Sequence, residues 1–255
     1  MTLANKTIVV TGVSSGIGMD FAKLARLQGA TVIGIDRKDP ILTVDHFIHA
    51  DLGEPKSIDA ALAQLPQQID ALANIAGVPG TAPVDLVARV NFLGLRHLTL
   101  ALVERMPSGS AIVNVASILG GQWPERLEQH RELAATPSFA SGLAWLNQHP
   151  VDPATSYQYF KEALIVWTLT QWQSQFLARG VRMNCVAPGP VMTPILTDFV
   201  TMLGQDKVEA DAKRIKRPGF SDEISPPIAF LCDDSSRWIS GAIIPVDGGL
   251  ASTFV

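Results

Sequence analysis

The chain has 255 residues, of which 47% are hydrophobic and 17% charged, and its formal net charge is −4. This composition supplies ample apolar material for a buried core, and the weak negative charge excludes the electrostatic footprint of a protein that binds nucleic acid or an anionic membrane. The two cysteines, Cys185 and Cys232, lie in apolar surroundings, and the five histidines form no HExxH-type pair. We therefore expect free buried thiols and no metal site.

The first residues, MTLANK, are followed at once by the short apolar run IVVTG, which does not resemble a signal peptide. No uninterrupted apolar run approaches the roughly 18 residues that a membrane-spanning helix needs. The sequence therefore predicts a cytoplasmic protein without a membrane partner.

Short β-branched or apolar runs alternate with stretches of helical periodicity along most of the chain. Strands are predicted at 7–11, 31–35, 46–50, 70–75, 111–115, 181–186 and 242–246. Helices are predicted at 18–29, 56–65, 85–103, 125–135, 138–148, 157–178 and 227–231.

The strands are apolar on both sides and alternate with helices, a pattern typical of a mainly parallel sheet covered on both faces. We predict one doubly wound, Rossmann-type α/β domain over 1–255, with about seven strands. Residues 122–155 interrupt the alternation with two helical pieces. We interpret them as an insertion, because the strand–helix pattern resumes after them.

A glycine-rich motif, TGVSSGIG at 11–18, lies between the first predicted strand and the first predicted helix. Gly12 would permit a tight turn, Gly16 a close approach of backbone N–H groups to a pyrophosphate, and Gly18 close packing of the helix on the sheet. The helix N-terminus would add partial positive charge. Cofactor contacts are predicted for Gly12, Ser14, Ser15, Gly16, Ile17 and Gly18.

Asp36 ends the second predicted strand, 24 residues after Gly12. A carboxylate at this position can accept hydrogen bonds from the adenosine ribose hydroxyls and would repel a 2′-phosphate. Arg37 follows it and could weaken that repulsion. The sequence therefore favours NAD over NADP as the cofactor.

The stretch SYQYFK at 156–161 contains both tyrosines of the chain, close to a lysine. Residues four apart lie on one face of a helix, so Tyr157 and Lys161 should project side by side. Tyr159 is turned by roughly 200° from Tyr157 and should face elsewhere. A nearby ammonium group, together with the positive charge of an oxidised nicotinamide, would lower the pKa of a phenol, so Tyr157 is the predicted acid/base.

Further segments follow in an order that resembles the short-chain dehydrogenase/reductase family. They are TGxxxGxG at 11–18, Asp51-Leu52, NIAG at 74–77, Asn91 in VNFLG, Ser117 after Asn114, the Tyr157/Lys161 pair, and Pro188-Gly189 followed by Thr193. The resemblance covers nearly the whole chain.

This resemblance implies an oxidoreductase in which Ser117 bonds the substrate oxygen, Tyr157 transfers the proton and Lys161 also holds the nicotinamide ribose. Asn91 would hold a water that relays protons from Lys161. Further cofactor contacts implied by the family are those of Asp51, Leu52, Asn74, Ala76, Gly77, Pro188, Gly189, Val191 and Thr193, beside Arg37, Tyr157 and Lys161.

Ser117 and Tyr157 are 40 residues apart, farther than is usual in the family, because of the insertion. With bulky Gln158, Tyr159 and Phe160 before Lys161, this feature resembles the bacterial 3α-hydroxysteroid dehydrogenase/carbonyl reductases. In that subgroup a helical segment before the tyrosine obstructs the usual dimer interface. The family resemblance implies a homo-oligomer, a dimer or a tetramer, whose interface stays open.

Residues 192–220 lie where the family has a substrate lid, and they contain an apolar helical stripe that would suit a bulky or aromatic alcohol. The resemblance implies NAD-dependent oxidation of coniferyl alcohol or a related aryl allylic alcohol to the aldehyde. The alternatives are a 3α-hydroxysteroid dehydrogenase/carbonyl reductase and, in a different class, a catalytically silent NAD(H)-binding regulator.

Overall fold

A seven-stranded parallel sheet forms the centre of the protein. The computed structural model describes residues 2–41 and 44–254, without the side chains of residues 174 and 175. The strands are β1 (Thr7–Thr11), β2 (Thr31–Asp36), β3 (His46–His49), β4 (Ala71–Asn74), β5 (Ala111–Val115), β6 (Arg182–Pro188), β7 (Val191–Met192), β8 (Gly219–Phe220) and β9 (Ile243–Val246). The main sheet has the order β3-β2-β1-β4-β5-β6-β9, and β7 pairs with β8 separately.

The strand order reverses at β1, which pairs in parallel with β2 on one side and with β4 on the other. In doubly wound sheets the crevice at the carboxyl ends of the strands flanking such a reversal is the usual ligand site. The predicted sheet, its parallel pairing and its strands are confirmed, with ends that differ by a residue or two.

Helices cover both faces of the sheet, as its apolar strands require. They are α1 (Gly16–Leu27), α2 (Pro55–Leu62), α3 (Val84–Ala88), α4 (Leu95–Leu102), α5 (Leu127–Ala135), α6 (Phe139–Gln148), α7 (Ser156–Gln171), α8 (Leu196–Leu203), α9 (Gln205–Ile215) and α10 (Ser221–Cys232). α1 and α10 build the core on one face. α2, α4 and α7 contribute to the core on the other face.

α3 and α4 are joined by a π-helical segment, Arg89–Gly94, and the whole helical stretch Val84–Arg105 is apolar and long enough to cross a membrane by those criteria. However, 72% of its most apolar window is buried inside the protein. Core helices of globular proteins have the same composition, so burial against the sheet accounts for its apolar character.

The two helices predicted in the insertion are present as α5 and α6, and α5 packs along α7. Arg96 of α4 fastens them, because its buried guanidinium donates to the carbonyl of Leu133, the hydroxyl of Thr136 and the carbonyl of Ser138 at 2.8–3.0 Å. The Leu133 carbonyl lies in the last turn of α5, where helical carbonyls lack partners within the helix, and the other two oxygens lie between α5 and α6.

α10 is longer than the helix predicted at 227–231, since it begins at Ser221. Two prolines, Pro226 and Pro227, lie inside it, and the predicted helix began only at the second of them. The helix nevertheless begins earlier, where the Glu223 carboxylate accepts a hydrogen bond of 2.8 Å from the backbone N–H of Phe220. This hydrogen bond from the backbone of the N-cap residue stabilises the first turn before the prolines.

Candidate active site

The glycine motif forms a tight turn between β1 and α1. Gly12 has a φ of +79°, and a Cβ atom added to it would lie 2.9 Å from the backbone of Ala76, in the loop after β4. A Cβ on Gly18 would overlap the carbonyl oxygen of Gly12. Only glycine allows this packing, and it brings the N-terminus of α1 to the crevice, where its free N–H groups can meet an anion.

Asp36 lies at the end of β2 and shapes the same turn. Its carboxylate accepts hydrogen bonds of 3.0 Å from the backbone N–H of Ser14 and from that of Lys38. The Ser14 hydroxyl also donates to the Lys38 carbonyl. Asp36 therefore holds the glycine turn against the loop after β2, and each carboxylate oxygen keeps a further lone pair for a ligand.

A groove of about 430 Å³ runs along the carboxyl ends of the strands. It brings together most of the predicted site residues, which are Gly12, Ser14, Ser15, Gly16, Ile17, Gly18, Asp36, Arg37, Asp51, Leu52, Ala76, Gly77, Ser117, Tyr157, Lys161, Pro188, Gly189, Val191 and Thr193. The predicted contacts thus converge from both halves of the sequence on one cavity.

Two predicted residues, Asn74 and Asn91, lie behind the wall of this groove. The Asn74 amide donates to the Thr99 hydroxyl and the Asn114 side-chain oxygen, both at 2.9 Å. Asn91, in the π-helical segment, accepts from the Val78 N–H at 2.8 Å and donates to the Val78 carbonyl at 2.9 Å. In this structure Asn91 supports the backbone of Val78, which lines the groove, and Asn74 joins β4 to α4 and β5 through side-chain hydrogen bonds.

Ser117 and Tyr157 meet at the inner end of the groove. Ser117 follows β5, and its hydroxyl accepts a hydrogen bond of 3.1 Å from the Leu119 N–H. A hydrogen bond between the Ser117 and Tyr157 side chains lowers the pKa of Tyr157, but burial of the phenol outweighs it and raises that pKa. The sequence predicted a pKa lowered by Lys161, and in this structure desolvation dominates instead.

Lys161 is 4% exposed and lies one helical turn after Tyr157. Its ammonium donates to the Val115 carbonyl at 2.8 Å and lies 5.6 Å from the centre of the Tyr157 ring. Burial lowers the pKa of Lys161 to about 8. The predicted juxtaposition of Tyr157 and Lys161 on one helix face is present, while Tyr159 faces α5, where its ring packs against His130.

α8 covers the outer part of the groove, within the segment predicted as a lid. The Phe199 ring meets the Tyr157 ring edge to face, with centres 5.1 Å apart. The Asp198 carboxylate accepts a hydrogen bond of 2.8 Å from the Thr81 hydroxyl, across the mouth of the groove. α8 thus rests directly on the predicted proton-transfer residue.

The sequence did not single out several residues that line the groove, namely Lys38, Val78, Pro79, Pro194 and Asp198. Lys38 and Val78 directly follow the predicted contacts Arg37 and Gly77 and could have been found by extending those motifs. Asp198 has no comparable signal, because only the seating of α8 turns it toward the groove. Among the described residues, no group of three or more His, Cys, Asp and Glu side chains could hold a metal ion.

The geometry agrees with family comparisons. The family model for short chain dehydrogenases matches residues 6–127, and that for enoyl-(acyl carrier protein) reductase matches residues 145–251. The chain belongs to the short-chain dehydrogenase/reductase family. Within it, the chain is 60% identical to coniferyl-alcohol dehydrogenase of a Pseudomonas species, over 100% of both sequences.

Two further relatives cover nearly the whole chain. 3-Oxoacyl-(acyl-carrier-protein) reductase FabG of Thermotoga maritima is 28% identical, over 98% of this chain and 99% of that one. The crystal structure of 3-alpha-hydroxysteroid dehydrogenase from a Pseudomonas species, complexed with NADH, superposes with a TM-score of 0.81 at 30% identity and covers 97% of this chain and 98% of that one. These comparisons support a nicotinamide cofactor for the groove.

The groove fits such a cofactor on its own features. The positive φ of Gly12 and the absence of a side chain at Gly18 create a cradle that any Cβ would fill. The carboxylate of Asp36 lies at one end of the groove, and Ser117, Tyr157 and Lys161 lie at the other. A dinucleotide would therefore have its pyrophosphate at the α1 N-terminus and its nicotinamide beside Tyr157.

Proposed function

We propose that the protein is an NAD-dependent dehydrogenase that oxidises coniferyl alcohol or a related aryl allylic alcohol to the aldehyde. The observation that carries the oxidoreductase chemistry is the meeting of Ser117, Tyr157 and Lys161 at one end of a groove whose other end is a glycine turn. The substrate class rests on the full-length, 60% identity to a coniferyl-alcohol dehydrogenase.

In the proposed reaction Ser117 and Tyr157 hold the substrate hydroxyl between them, and Tyr157 takes its proton as the carbonyl forms. The nicotinamide, when bound, supplies the hydride acceptor. Ser117 stabilises the oxygen while its charge develops. Lys161 would contact the nicotinamide ribose and take part in returning the proton to solvent, with Asn91 holding the relay water.

Tyr157 needs help to act as a base, because burial alone raises its pKa. We infer that the phenolate becomes accessible when an oxidised, positively charged nicotinamide ring lies beside it, in addition to the Lys161 ammonium. This order of events makes proton abstraction conditional on cofactor binding.

NAD is the proposed cofactor, because the Asp36 carboxylate at the end of β2 would repel a 2′-phosphate. Two backbone hydrogen bonds hold this carboxylate in place at the end of the groove. Arg37 is exposed beside it and can only partly offset this charge. We further propose that the protein works in the cytoplasm as a homo-oligomer, either a dimer or a tetramer.

The test is a panel of cinnamyl-type and steroidal alcohols, with NAD and NADP in parallel and NADH absorbance as the signal. We expect the highest kcat/KM with coniferyl alcohol and NAD. A preference for steroids would support the hydroxysteroid alternative, for which the superposition on the steroid dehydrogenase is the favouring observation. NADH binding without oxidation of any alcohol would support the regulator, and a preference for NADP would refute the role of Asp36.

Phe199→Ala is expected to raise KM for coniferyl alcohol about tenfold, because it removes the ring that covers Tyr157 and would flank an aromatic substrate. Steady-state kinetics with coniferyl alcohol and with a small aliphatic alcohol measure this. The matched control is Phe220→Ala, a 50% exposed phenylalanine outside the groove. Equal KM values for the aromatic alcohol in the Phe199→Ala variant and the wild type would contradict the role of Phe199.

Lys161→Met is expected to abolish turnover and to make the cofactor-free protein more stable at pH 7. The buried ammonium has a pKa near 8, against the reference value of 10.5, which corresponds to a burial cost on the order of 3 kcal/mol. Loss of the hydrogen bond to Val115 would offset roughly 1 kcal/mol of this gain.

The sign of the pH dependence follows from the lowered pKa of Lys161. Between about pH 8 and 10.5 the unfolded chain binds more protons than the folded one, so wild-type stability rises with pH and is lost as pH falls toward 8. The advantage of Lys161→Met should therefore shrink from pH 7 to pH 9.5 in urea unfolding. Lys23→Met, at an exposed position of α1, is the control, and a constant advantage of Lys161→Met would contradict the assignment.

A further inference from the structure

The side chain of Glu162 is completely buried and directly follows Lys161 in α7. Arg126 binds its carboxylate with two hydrogen bonds, from Nε at 2.9 Å and from Nη2 at 2.6 Å. The Nε2 atom of His130 lies 2.8 Å from the same carboxylate and is equally buried. Both partners belong to the insertion, so the insertion is joined to α7 by a buried ionic cluster of Arg126, His130 and Glu162.

The same part of α7 is in tight contact with the segment that begins at Ser117. A Cβ atom added to Gly120 would lie 3.0 Å from the carbonyl carbon of Lys161 and 3.1 Å from the backbone nitrogen of Glu162. The chain then continues through the helical turn Trp123–Arg126 to the ionic cluster. Residues 117–126 are thus attached to α7 at two points beside Lys161.

Stability alone gives little reason for this arrangement. Taking a carboxylate and its partners out of water is costly, and well-packed apolar side chains are often as stable as a buried ion pair. The Nδ1 atom of His130 is also buried without a hydrogen-bond partner in the described part of the chain. The cluster does fix geometry, because the two hydrogen bonds from the Arg126 guanidinium set both the orientation and the distance of the Glu162 carboxylate.

We propose that Glu162 is a positioning residue, held by Arg126 and His130. It keeps the Ser117 hydroxyl placed to form its hydrogen bond with the Tyr157 hydroxyl. The inference rests on the proposed dehydrogenase function for its kinetic consequences and on the geometry alone for its structural ones. It assigns to the insertion a role in the site, although neither Arg126 nor His130 lines the groove.

The consequence for Tyr157 has a definite sign. The hydrogen bond from Ser117 is the interaction that lowers the pKa of Tyr157 against the effect of burial. Lys161, on the same helix, lies 5.6 Å from the centre of the Tyr157 ring, and Asp198 on α8 lines the same groove. These remain when Glu162 is replaced, so a loosened Ser117 should raise the pKa of the base Tyr157 and move the acid limb of the kcat–pH profile, on which kcat rises with pH, to higher pH.

The experiment compares Glu162→Gln, which keeps the shape and removes the charge, with the wild type. We expect kcat per NADH-binding site to fall about tenfold or more, with the sites counted by fluorescence titration. The limb on which kcat rises with pH should move to higher pH. Arg131→Ala is the control, because Arg131 forms an exposed ion pair with Glu128 on the same helix. An unchanged kcat per site and an unchanged pH profile in Glu162→Gln would overturn the proposal.

A second measurement is independent of turnover. Tyr157 and Tyr159 are the only tyrosines of the chain, so in a Tyr159→Phe background labelled at the tyrosine Cζ atom with ¹³C, one resonance reports the Tyr157 hydroxyl. Adding Glu162→Gln should move it in the direction that Ser117→Ala moves it, and adding Arg131→Ala should not. If no alcohol is oxidised, the proposed function fails while this resonance still decides the positioning role.

If Glu162→Gln does not fold, the double variant Arg126→Met, Glu162→Met removes both charges and keeps the apolar volume. Arg126→Lys retains the charge and loses the two-pronged contact. We expect reduced kcat per site in both, with the smaller loss in Arg126→Lys. Wild-type turnover and an unmoved tyrosine resonance in the double variant would also overturn the proposal.

Discussion

Tyr157→Phe is expected to reduce kcat by about 10²–10⁴-fold, the usual contribution of a positioned acid or base. The change removes the hydroxyl that meets Ser117 and retains the ring that packs against Phe199. NADH binding should therefore stay close to that of the wild type, as measured by fluorescence titration. Stopped-flow absorbance of NADH formation with coniferyl alcohol gives the rate of the chemical step.

Tyr159→Phe is the matched control, two residues along the same helix. Its hydroxyl is buried and has no hydrogen-bond partner among the described residues, so its removal should leave kcat unchanged and should not lower stability. A Tyr157→Phe enzyme that retained wild-type turnover would refute the assignment of the acid/base. A large loss in Tyr159→Phe alone would move that assignment to the other tyrosine.

Gly12→Ala is expected to raise the Kd for NADH at least tenfold, equivalent to about 1.4 kcal/mol. The new methyl group would lie 2.9 Å from the backbone of Ala76, so the turn and the loop after β4 must move apart. Both of them line the groove. Fluorescence titration with NADH measures the affinity, and urea unfolding measures the accompanying loss of stability.

Gly109→Ala is the control that separates the clash with Ala76 from the cost of placing alanine in a left-handed backbone conformation. Gly109 has a φ of +95°, similar to that of Gly12, but a Cβ there would meet nothing within 4 Å in the described part of the chain. Both variants should lose about 1–2 kcal/mol of stability through the left-handed conformation. Only Gly12→Ala should lose affinity for NADH, and equal affinity losses would exclude a specific role for the turn.

The strands, the glycine turn and the Tyr157/Lys161 face were predictable from the sequence, because each depends on neighbours within one or two elements. Five-residue apolar runs specify buried strands, and a four-residue spacing specifies a helix face. Even the helices of the insertion were found, since each carries its own periodicity. The start of α10 was missed because local proline preferences were outweighed by an N-terminal cap.

The less predictable features depend on contacts between distant segments. The rise in the pKa of Tyr157 caused by burial was not foreseen from the sequence, because desolvation depends on everything that surrounds the ring, including Phe199. The ionic cluster of Arg126, His130 and Glu162 joins residues up to 36 apart, and no spacing rule brings them together. Asn74 and Asn91 occur in motifs, yet the hydrogen bonds they make required the folded chain.

The way α8 is held has a consequence for the timing of the catalytic cycle. No residue of α8 or α9, all of which the structure describes, is fully buried, and Thr81 and Asp198 provide an exposed hydrogen bond across the groove. Gly204 joins the two helices with open space around it. Segments so lightly attached exchange their amide protons early and open at little free-energy cost. Under the proposed function we therefore expect products to leave by displacement of α8 while the parallel sheet stays rigid, so that mobility of this helix would limit the rate of product release.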